Sequence, residues 1–194
     1  MLGMADVDVL VICGAAGVGK TSTAHEVSAL LGRSGIAHAT VDADELDRMH
    51  PWPVPGLPAF EPARTNLAAL WSTYLGLGHT RLVLCGVFAD LRQELAWIAD
   101  AVPRAAFTVV RLTASPQVLA QRVRRREIGS GTEDQLERST AQSEAIAAAD
   151  PGGTLVVDTT GLTVEQVADR VVGLWPAART AGRSRRRPPV TPGP

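Results

Sequence analysis

Apolar runs alternate along the chain with segments whose apolar residues recur every three or four positions. Val7–Cys13 is an almost continuous apolar run, typical of a strand buried on both faces of a parallel sheet. Four further runs, at 37–41, 82–88, 105–112 and 154–157, predict four more strands. Because helical segments separate these runs, the pattern predicts a three-layer α/β/α fold with a five-stranded parallel sheet.

The ends of the predicted helices are marked by caps and breakers. A helix over Lys20–Leu31 is expected to be stopped by Gly32 and Gly35, and Ser115-Pro116 predicts the start of another that runs to about 126. Thr132 with Gln135, and Thr163 with Gln166, fit capping boxes for the last two helices. Further helices are predicted at 63–77 and 91–101, with a proline-rich irregular connection at 51–62.

A glycine-rich turn joins the first strand to the first helix and fits the pattern G-x-x-x-x-G-K-[ST]. Its glycines allow backbone N–H groups to point at phosphate oxygens, and the helix start adds its positive dipole end. Lys20 can reach the β- and γ-phosphates, and the Thr21 hydroxyl can bind Mg²⁺. The sequence therefore predicts a P-loop that binds ATP with Mg²⁺, through Gly14, Ala15, Ala16, Gly17, Val18, Gly19, Lys20, Thr21 and Ser22.

Two carboxylates follow the second predicted strand. Asp42 and Asp44 would lie at the carboxyl edge of the sheet, facing the γ-phosphate from the acceptor side. Either can accept the proton of an acceptor hydroxyl, and Asp42 can also hold the metal. The alternative is that both only cap a short helix at 45–49, and the spacing does not rank them as base.

An arginine pair near the middle of the chain predicts a lid at about 122–133. Arg122 and Arg126 are four residues apart and share a helical face, followed by a glycine-rich stretch. Such arginines can close over a triphosphate, neutralise charge and exclude water. The alternative is an exposed basic helix end that the helix dipole favours.

In this order, the motifs resemble those of P-loop kinases of small metabolites, a group that includes adenylyl-sulfate, shikimate and gluconate kinases and chloramphenicol phosphotransferase. The resemblance implies a lid formed by Arg122 and Arg126. It also implies that Asp158, Thr160 and Gly161, which follow the last strand, lie near the adenine ring. The residues 45–48 depart from the adenylyl-sulfate kinase pattern, so only the kinase class is carried over.

The acceptor pocket is expected to be built from Asp42–Pro62, which includes the proline-rich connection, and from the helix that starts at Ala63. Trp52 could stack on a planar or sugar substrate, or instead pin the loop to the core. Arg64 could bind an anionic group, or instead be a solvated helix start. The expected reaction is transfer of the γ-phosphate of ATP to a hydroxyl of a small molecule. The alternatives are a nucleoside or nucleotide kinase, and a nucleotide-dependent regulatory or RNA-binding P-loop protein.

The sequence predicts two parts, a kinase domain at 1–176 and a disordered tail at 177–194, and the two parts differ in charge. The tail holds five arginines and no acid, so removing those five charges from the net −1 leaves −6 on the rest. Only the tail is therefore expected to touch nucleic acid. Cys13 and Cys85 predict buried thiols in a reducing compartment, and no apolar stretch is long enough for a membrane span. A cytoplasmic monomer or homodimer is expected.

Overall fold

Five parallel strands form the centre of the molecule. The computed structural model describes residues 6–126, 141–150 and 152–180. The strands pair in the order β2-β3-β1-β4-β5, all in parallel register, which confirms the predicted five-stranded sheet. They are β1 Val7–Cys13, β2 Ala39–Asp42, β3 Arg81–Gly86, β4 Ala105–Thr113 and β5 Leu155–Asp158.

Seven helices in the described part of the chain connect or flank these strands. They are α1 Lys20–Arg33, α2 Glu61–Gly76, α3 Leu91–Ala101, α4 Pro116–Arg126, α5 at 141–148, α6 Val164–Leu174 and α7 Pro176–Thr180, and a 3-10 turn spans Ala43–Glu45.

The central strand β1 divides the core into two halves because its side chains point alternately to opposite faces. Val9 and Val11 belong to the core half that includes residues of α2 and α3. Leu10 and Ile12 belong to the other half, with residues of α1 and α6. All four side chains are fully buried, so the continuous apolar run of β1 reflects a strand covered on both faces. The three-layer prediction is confirmed.

The helix caps agree with the sequence where the structure describes them. Thr163 and Gln166 form a complete capping box at the start of α6. The Ser115 hydroxyl accepts a 3.4 Å hydrogen bond from the Val118 amide at the start of α4. The predicted box of Thr132 and Gln135 lies outside the described residues.

Several boundaries differ from the sequence prediction by one or two residues, and three other differences concern a helix end, a short helix and the end of the folded chain. α1 continues through Gly32 to Arg33, because the left-handed residue that ends the turn is Gly35, with φ of 65°. The short helix expected at 45–49 is instead a 3-10 turn at Ala43–Glu45. α7 reaches Thr180 with Ala177 buried, so folded chain extends past the boundary placed at 176.

Candidate active site

The glycine-rich turn between β1 and α1 has the backbone that its composition predicts. Gly14, Gly17 and Gly19 have φ of 141°, 83° and 101°, in the region that L side chains rarely adopt. A Cβ on Gly14 would lie 2.5 Å from the carbonyl oxygen of Leu112, at the end of the neighbouring strand β4. Gly14 therefore allows the turn to approach the sheet closely.

The start of α1 is suited to an anion. Gly19 caps the helix in a left-handed conformation and contributes no side-chain hydrogen bond, and the first turn of the helix contains no acidic residue. The positive end of the helix dipole therefore faces the turn without a neighbouring negative side chain on its own helix. This is the arrangement that favours phosphate at a helix N-terminus.

Lys20 is buried at the same helix start. Its Nζ donates a 3.2 Å hydrogen bond to the Ala15 carbonyl, within the turn. Burial lowers the pKa of Lys20, whereas the nearby Asp44 and Asp42 carboxylates act to raise it. A buried cation therefore faces the two carboxylates that the sequence singled out.

Asp42 and Thr21 are joined directly. The Thr21 hydroxyl donates to Asp42 Oδ2 over 2.9 Å, and Asp42 Oδ1 accepts from the Asp44 amide over 3.1 Å. Asp42 thus caps the 3-10 turn, and capping is the role that the alternative interpretation gave it. The same carboxylate also contacts the helix that follows the phosphate turn. Thr21 and Asp42 together present hard oxygen atoms of the kind that Mg²⁺ prefers.

The Asp44 carboxylate has a different hydrogen-bond partner from the Asp42 carboxylate. Its Oδ1 accepts a 2.9 Å hydrogen bond from the Val87 amide, just beyond the end of β3. A Cβ on Gly86 would lie 3.3 Å from that oxygen and 3.0 Å from Ala43 Cβ, so the glycine leaves room for this approach. The carboxylate is therefore fixed between the ends of two neighbouring strands.

Arg122 joins α4 to the phosphate turn and to the end of β5. Its Nη1 donates to the Val18 carbonyl over 3.1 Å and to Thr159 Oγ1 over 2.8 Å, and its Nη2 donates to the Thr159 carbonyl over 3.2 Å. Thr159 is itself buried and donates its hydroxyl to the Thr113 carbonyl. The side chain of Arg126 lies outside the described residues.

The segment after β5 is fixed by a local hydrogen bond and by a second one from the start of α4. Asp158 accepts from the Thr160 amide over 2.9 Å, and the Thr160 side chain and amide lower the pKa of that carboxyl. Thr160 Oγ1 accepts from the Ser115 amide over 2.9 Å. These bonds fix the turn that contains Gly161, whose φ of 71° is left-handed.

A cavity of about 590 Å³ extends from the acidic segment across the phosphate turn to the region beside β5. It brings together the predicted P-loop residues Ala16–Ser22, both carboxylates and Arg122. At its far end it is lined by Thr159, Leu162, Val164 and Val167, whereas Asp158, Thr160 and Gly161 are not among its lining residues. Thr159 lies within the segment 158–161 that the resemblance placed near the adenine ring. The sequence missed Leu162, Val164 and Val167, although the last two begin the amphipathic helix α6.

A second cavity, of about 310 Å³, adjoins the first, and both are lined by Asp44 and Val87. Trp52 lines the second cavity, at the place where the sequence expects the acceptor. Arg64 lines neither cavity: it forms two hydrogen bonds with Glu61, of 2.9 Å from Nε and 2.6 Å from Nη2. Asp47 belongs to the segment 42–62 from which the sequence expects the acceptor pocket, but the sequence did not anticipate Gln93, Glu94 and Trp97 of α3 in this wall.

The helix α5 contacts the phosphate turn through a residue that sequence reasoning did not identify. Gln142 Oε1 accepts a 2.9 Å hydrogen bond from the Ala16 amide. No local motif marks this glutamine, because the two residues are 126 positions apart and meet only in the fold. Of the lid predicted at 122–133, residues 122–126 belong to α4, and the rest lies outside the described residues.

Cys13 and Cys85 are free and buried at the ends of β1 and β3. Burial raises the pKa of each thiol to about 12, so neither supplies a thiolate near neutral pH. Among the described residues there is no group of three or more His, Cys, Asp or Glu side chains placed to hold a metal ion. No helix in the described ranges has the length and apolar character to cross a membrane.

A protein-family model described as "AAA domain" matches residues 10–144. No curated protein matches the chain. Among solved structures, a sugar kinase from Janibacter sp. HTCC2649 is 21% identical with a TM-score of 0.60, over 91% of this chain and 98% of that one. A gluconokinase from Sinorhizobium meliloti 1021 is 23% identical with a TM-score of 0.54, over 91% and 95%. The APS kinase of Mycobacterium tuberculosis is 20% identical with a TM-score of 0.53, over 87% and 97%. At these identities the likeness establishes the fold of P-loop kinases.

Proposed function

The chain belongs to the family whose model is described as "AAA domain", and from that premise we propose that it transfers the γ-phosphoryl group of ATP, with Mg²⁺, to a hydroxyl of a small molecule. One observation carries the proposal. A cavity on the phosphate turn and a separate second cavity meet at the Asp44 carboxylate, close to the buried Lys20. An enzyme that only hydrolyses ATP has no need of the second cavity.

The large cavity accounts for the nucleotide. The backbone of the phosphate turn and Lys20 bind the β- and γ-phosphates, where opposite charge and aligned N–H groups stabilise the anion. Arg122 orders the turn from the other side through its bond to the Val18 carbonyl. The apolar residues Leu162, Val164 and Val167 offer a surface for the base.

Thr21 and Asp42 fit a magnesium ion through their oxygen atoms, which lie 2.9 Å apart on adjoining elements. When bound, Mg²⁺ supplies positive charge that offsets the negative charge of the phosphate oxygens. The hydrogen bond from the Asp44 amide keeps the Asp42 carboxylate oriented toward Thr21.

Asp44 is the proposed general base. It lines both cavities, so a hydroxyl bound in the second cavity can give its proton to the carboxylate while its oxygen attacks the γ-phosphorus. The bond from phosphorus to the β,γ-bridging oxygen breaks, and ADP leaves with that electron pair. The Val87 amide holds Asp44 in place through one oxygen and leaves the other for the acceptor.

A nucleotide kinase would need cations to bind the acceptor phosphate. The described residues that line the second cavity include no Lys, Arg or His, and Arg64 is paired with Glu61. This observation favours an acceptor that carries no phosphate. The regulatory or RNA-binding alternative depends on the arginine-rich segment 179–194, of which residues 181–194 lie outside the described residues.

The test is ATP turnover against a panel of hydroxyl compounds, with Lys20→Ala, Asp44→Asn and Asp42→Asn beside the wild type. A general base contributes about 10²–10⁴-fold, so Asp44→Asn should retain ATP binding and lose turnover by that factor. Asp42→Asn should instead raise the Mg²⁺ requirement. ATP binding without stimulation by any acceptor would refute the transfer reaction and favour the regulatory alternative.

A further inference from the structure

The second cavity has aromatic walls. Trp97 and Phe88 are buried beneath it, whereas Trp52 is 42% exposed at its rim. Its volume, about 310 Å³, is at the lower end of the ~300–1,000 Å³ typical of small-molecule pockets. The half-exposed ring of Trp52 favours the apolar face of another ring, and it also attracts a cation placed over it. The cavity therefore suits a compound of about one ring.

Three carboxylates line the same cavity, and the described lining contains no basic side chain. They are Asp44 at the junction with the phosphate cavity, Asp47 on the following loop and Glu94 on α3. The loop is anchored by Asn66, whose Nδ2 donates to the Leu46 carbonyl over 2.6 Å. Glu94 is fixed by a hydrogen bond from the Trp97 indole. The carboxylates of Asp44 and Glu94 are thus each held by a hydrogen bond, from the Val87 amide and from the Trp97 indole.

Among the described residues that line this cavity, none offers Asp47 or Glu94 a positive charge, whereas Asp44 also faces Lys20 from the phosphate cavity. Burial raises the pKa of Glu94, and the charges of Asp90, Asp47 and Asp44 raise it further, against the lowering effect of the Trp97 hydrogen bond. Burial likewise raises the pKa of Asp47, with a contribution from Asp44. No cationic side chain contributes to either shift. Glu94 and Asp47 are half-buried and Asp44 is exposed, so a positive charge placed between Glu94 and Asp47 would offset part of the cost of their desolvation.

Neither Arg64 nor Arg48 supplies that charge. Arg64 is engaged by Glu61, and Arg48 lines the other cavity and pairs with Glu45 over 2.9 Å. The aromatic walls and the opening onto the phosphate cavity define the site, and the acids decide the charge that it accepts. A carboxylate- or phosphate-bearing acceptor would meet three negative groups and no partner in the described wall.

We propose that the acceptor is a single-ring hydroxyl compound that carries a protonated amine, bound with its ammonium group between Glu94 and Asp47 and its reactive hydroxyl at Asp44. This inference rests on the proposed function of the same site, since it assigns the second cavity to the acceptor. The ring lies against Trp52, and the amine supplies the positive charge that the wall lacks.

The test compares related single-ring hydroxyl compounds of different charge. D-glucosamine, N-acetyl-D-glucosamine, D-glucose and D-glucuronate form one set, and 2-deoxystreptamine with myo-inositol forms another. Phosphorylated product is measured by mass spectrometry with ATP and Mg²⁺. A charge-assisted hydrogen bond predicts kcat/KM at least about tenfold higher for the amine than for the neutral member of each set. Equal or faster transfer to the neutral or anionic members would overturn the inference and leave the kinase reaction intact.

A binding measurement distinguishes the proposed amine site from the proposed transfer reaction. The same compounds are added to the protein with a non-hydrolysable ATP analogue, and the shift in Tm is measured. An amine-specific rise in Tm without product would support the amine site and overturn the transfer reaction. Neither a Tm shift nor product with the amines would overturn the inference.

Two variants connect the preference to the proposed residues. Glu94→Gln keeps an acceptor for the Trp97 indole and removes the charge, so the preference for amines should fall about tenfold while transfer to neutral members changes less. Asp100→Asn makes the same charge change at an exposed position of α3 away from the cavity and should leave the preference unaltered. A preference that survives both Glu94→Gln and Asp47→Asn would contradict the assignment.

Discussion

The Thr21 hydroxyl donates to the Asp42 carboxylate over 2.9 Å, and this bond joins the first turn of α1 to the end of β2. The contact is exposed, so it contributes little to folding, about 1 kcal/mol or less. The bond instead matters for the site, because it holds two oxygen atoms from different elements next to each other beside the phosphate turn.

Replacing Thr21 tests this pair as a magnesium site. Thr21→Val keeps the shape of the side chain and removes the hydroxyl, whereas Thr21→Ser keeps the hydroxyl. We expect Thr21→Val to raise the Mg²⁺ concentration for half-maximal turnover by about tenfold or more, with Thr21→Ser close to wild type. Turnover against Mg²⁺ concentration is the measurement, and equal curves for the two variants would remove Thr21 from the metal site.

Gly14 is expected to tolerate no side chain. Gly14→Ala places a Cβ 2.5 Å from the Leu112 carbonyl at a φ of 141°, so the turn or β4 must move. Strain of this kind costs about 1–3 kcal/mol, and ATP binding should weaken as well. Gly32→Ala is the matched control: it lies inside α1 with open space around it and should stabilise the protein by about 0.5–1 kcal/mol. Urea unfolding of both variants gives the comparison, and equal stabilities would contradict it.

Arg122 is expected to act through its planar geometry and not through charge alone. Arg122→Lys retains the charge but cannot reproduce the donation to Val18 and to both oxygens of Thr159. We expect KM for ATP to rise about tenfold and the free energy of unfolding to fall by about 1–2 kcal/mol. Arg124→Lys, exposed on the same helix, should change the free energy of unfolding by less than about 0.5 kcal/mol. Equivalent effects of the two substitutions would remove the special role of Arg122.

Glu94 should make stability depend on pH in a definite direction. Burial raises the pKa of Glu94 in the folded state above its ordinary 4.5, so the folded protein holds this proton after the unfolded chain has lost it. Stability therefore falls as pH rises from about 4.5 through the folded-state pKa. Glu94→Gln lacks this titration, so its stability relative to wild type should increase across that interval. Thermal unfolding between acidic and neutral pH measures the difference, and a constant difference would contradict the expected shift.

The sequence by itself determined the elements and the phosphate turn. Continuous apolar runs marked the five strands to within a few residues, because a strand covered on both faces must be apolar throughout. The turn from Gly14 to Thr21 was readable because a phosphate cradle is built from contiguous residues whose glycines and lysine have fixed spacing. The Thr163–Gln166 cap was readable for the same reason, since its partners are three residues apart.

Only the tertiary structure decided how the two carboxylates differ. In the order β2-β3-β1, the end of β3 lies beside the end of β2, so the Val87 amide meets Asp44 while Asp42 turns to Thr21. The same neighbourhood brings Glu94 and Trp97 of α3 into one wall with Trp52. Gln142 reaches Ala16 across 126 positions. Pairing between distant parts of the chain leaves no local pattern in the sequence, so the phosphate turn was predictable and the contribution of α3 to the acceptor cavity was not.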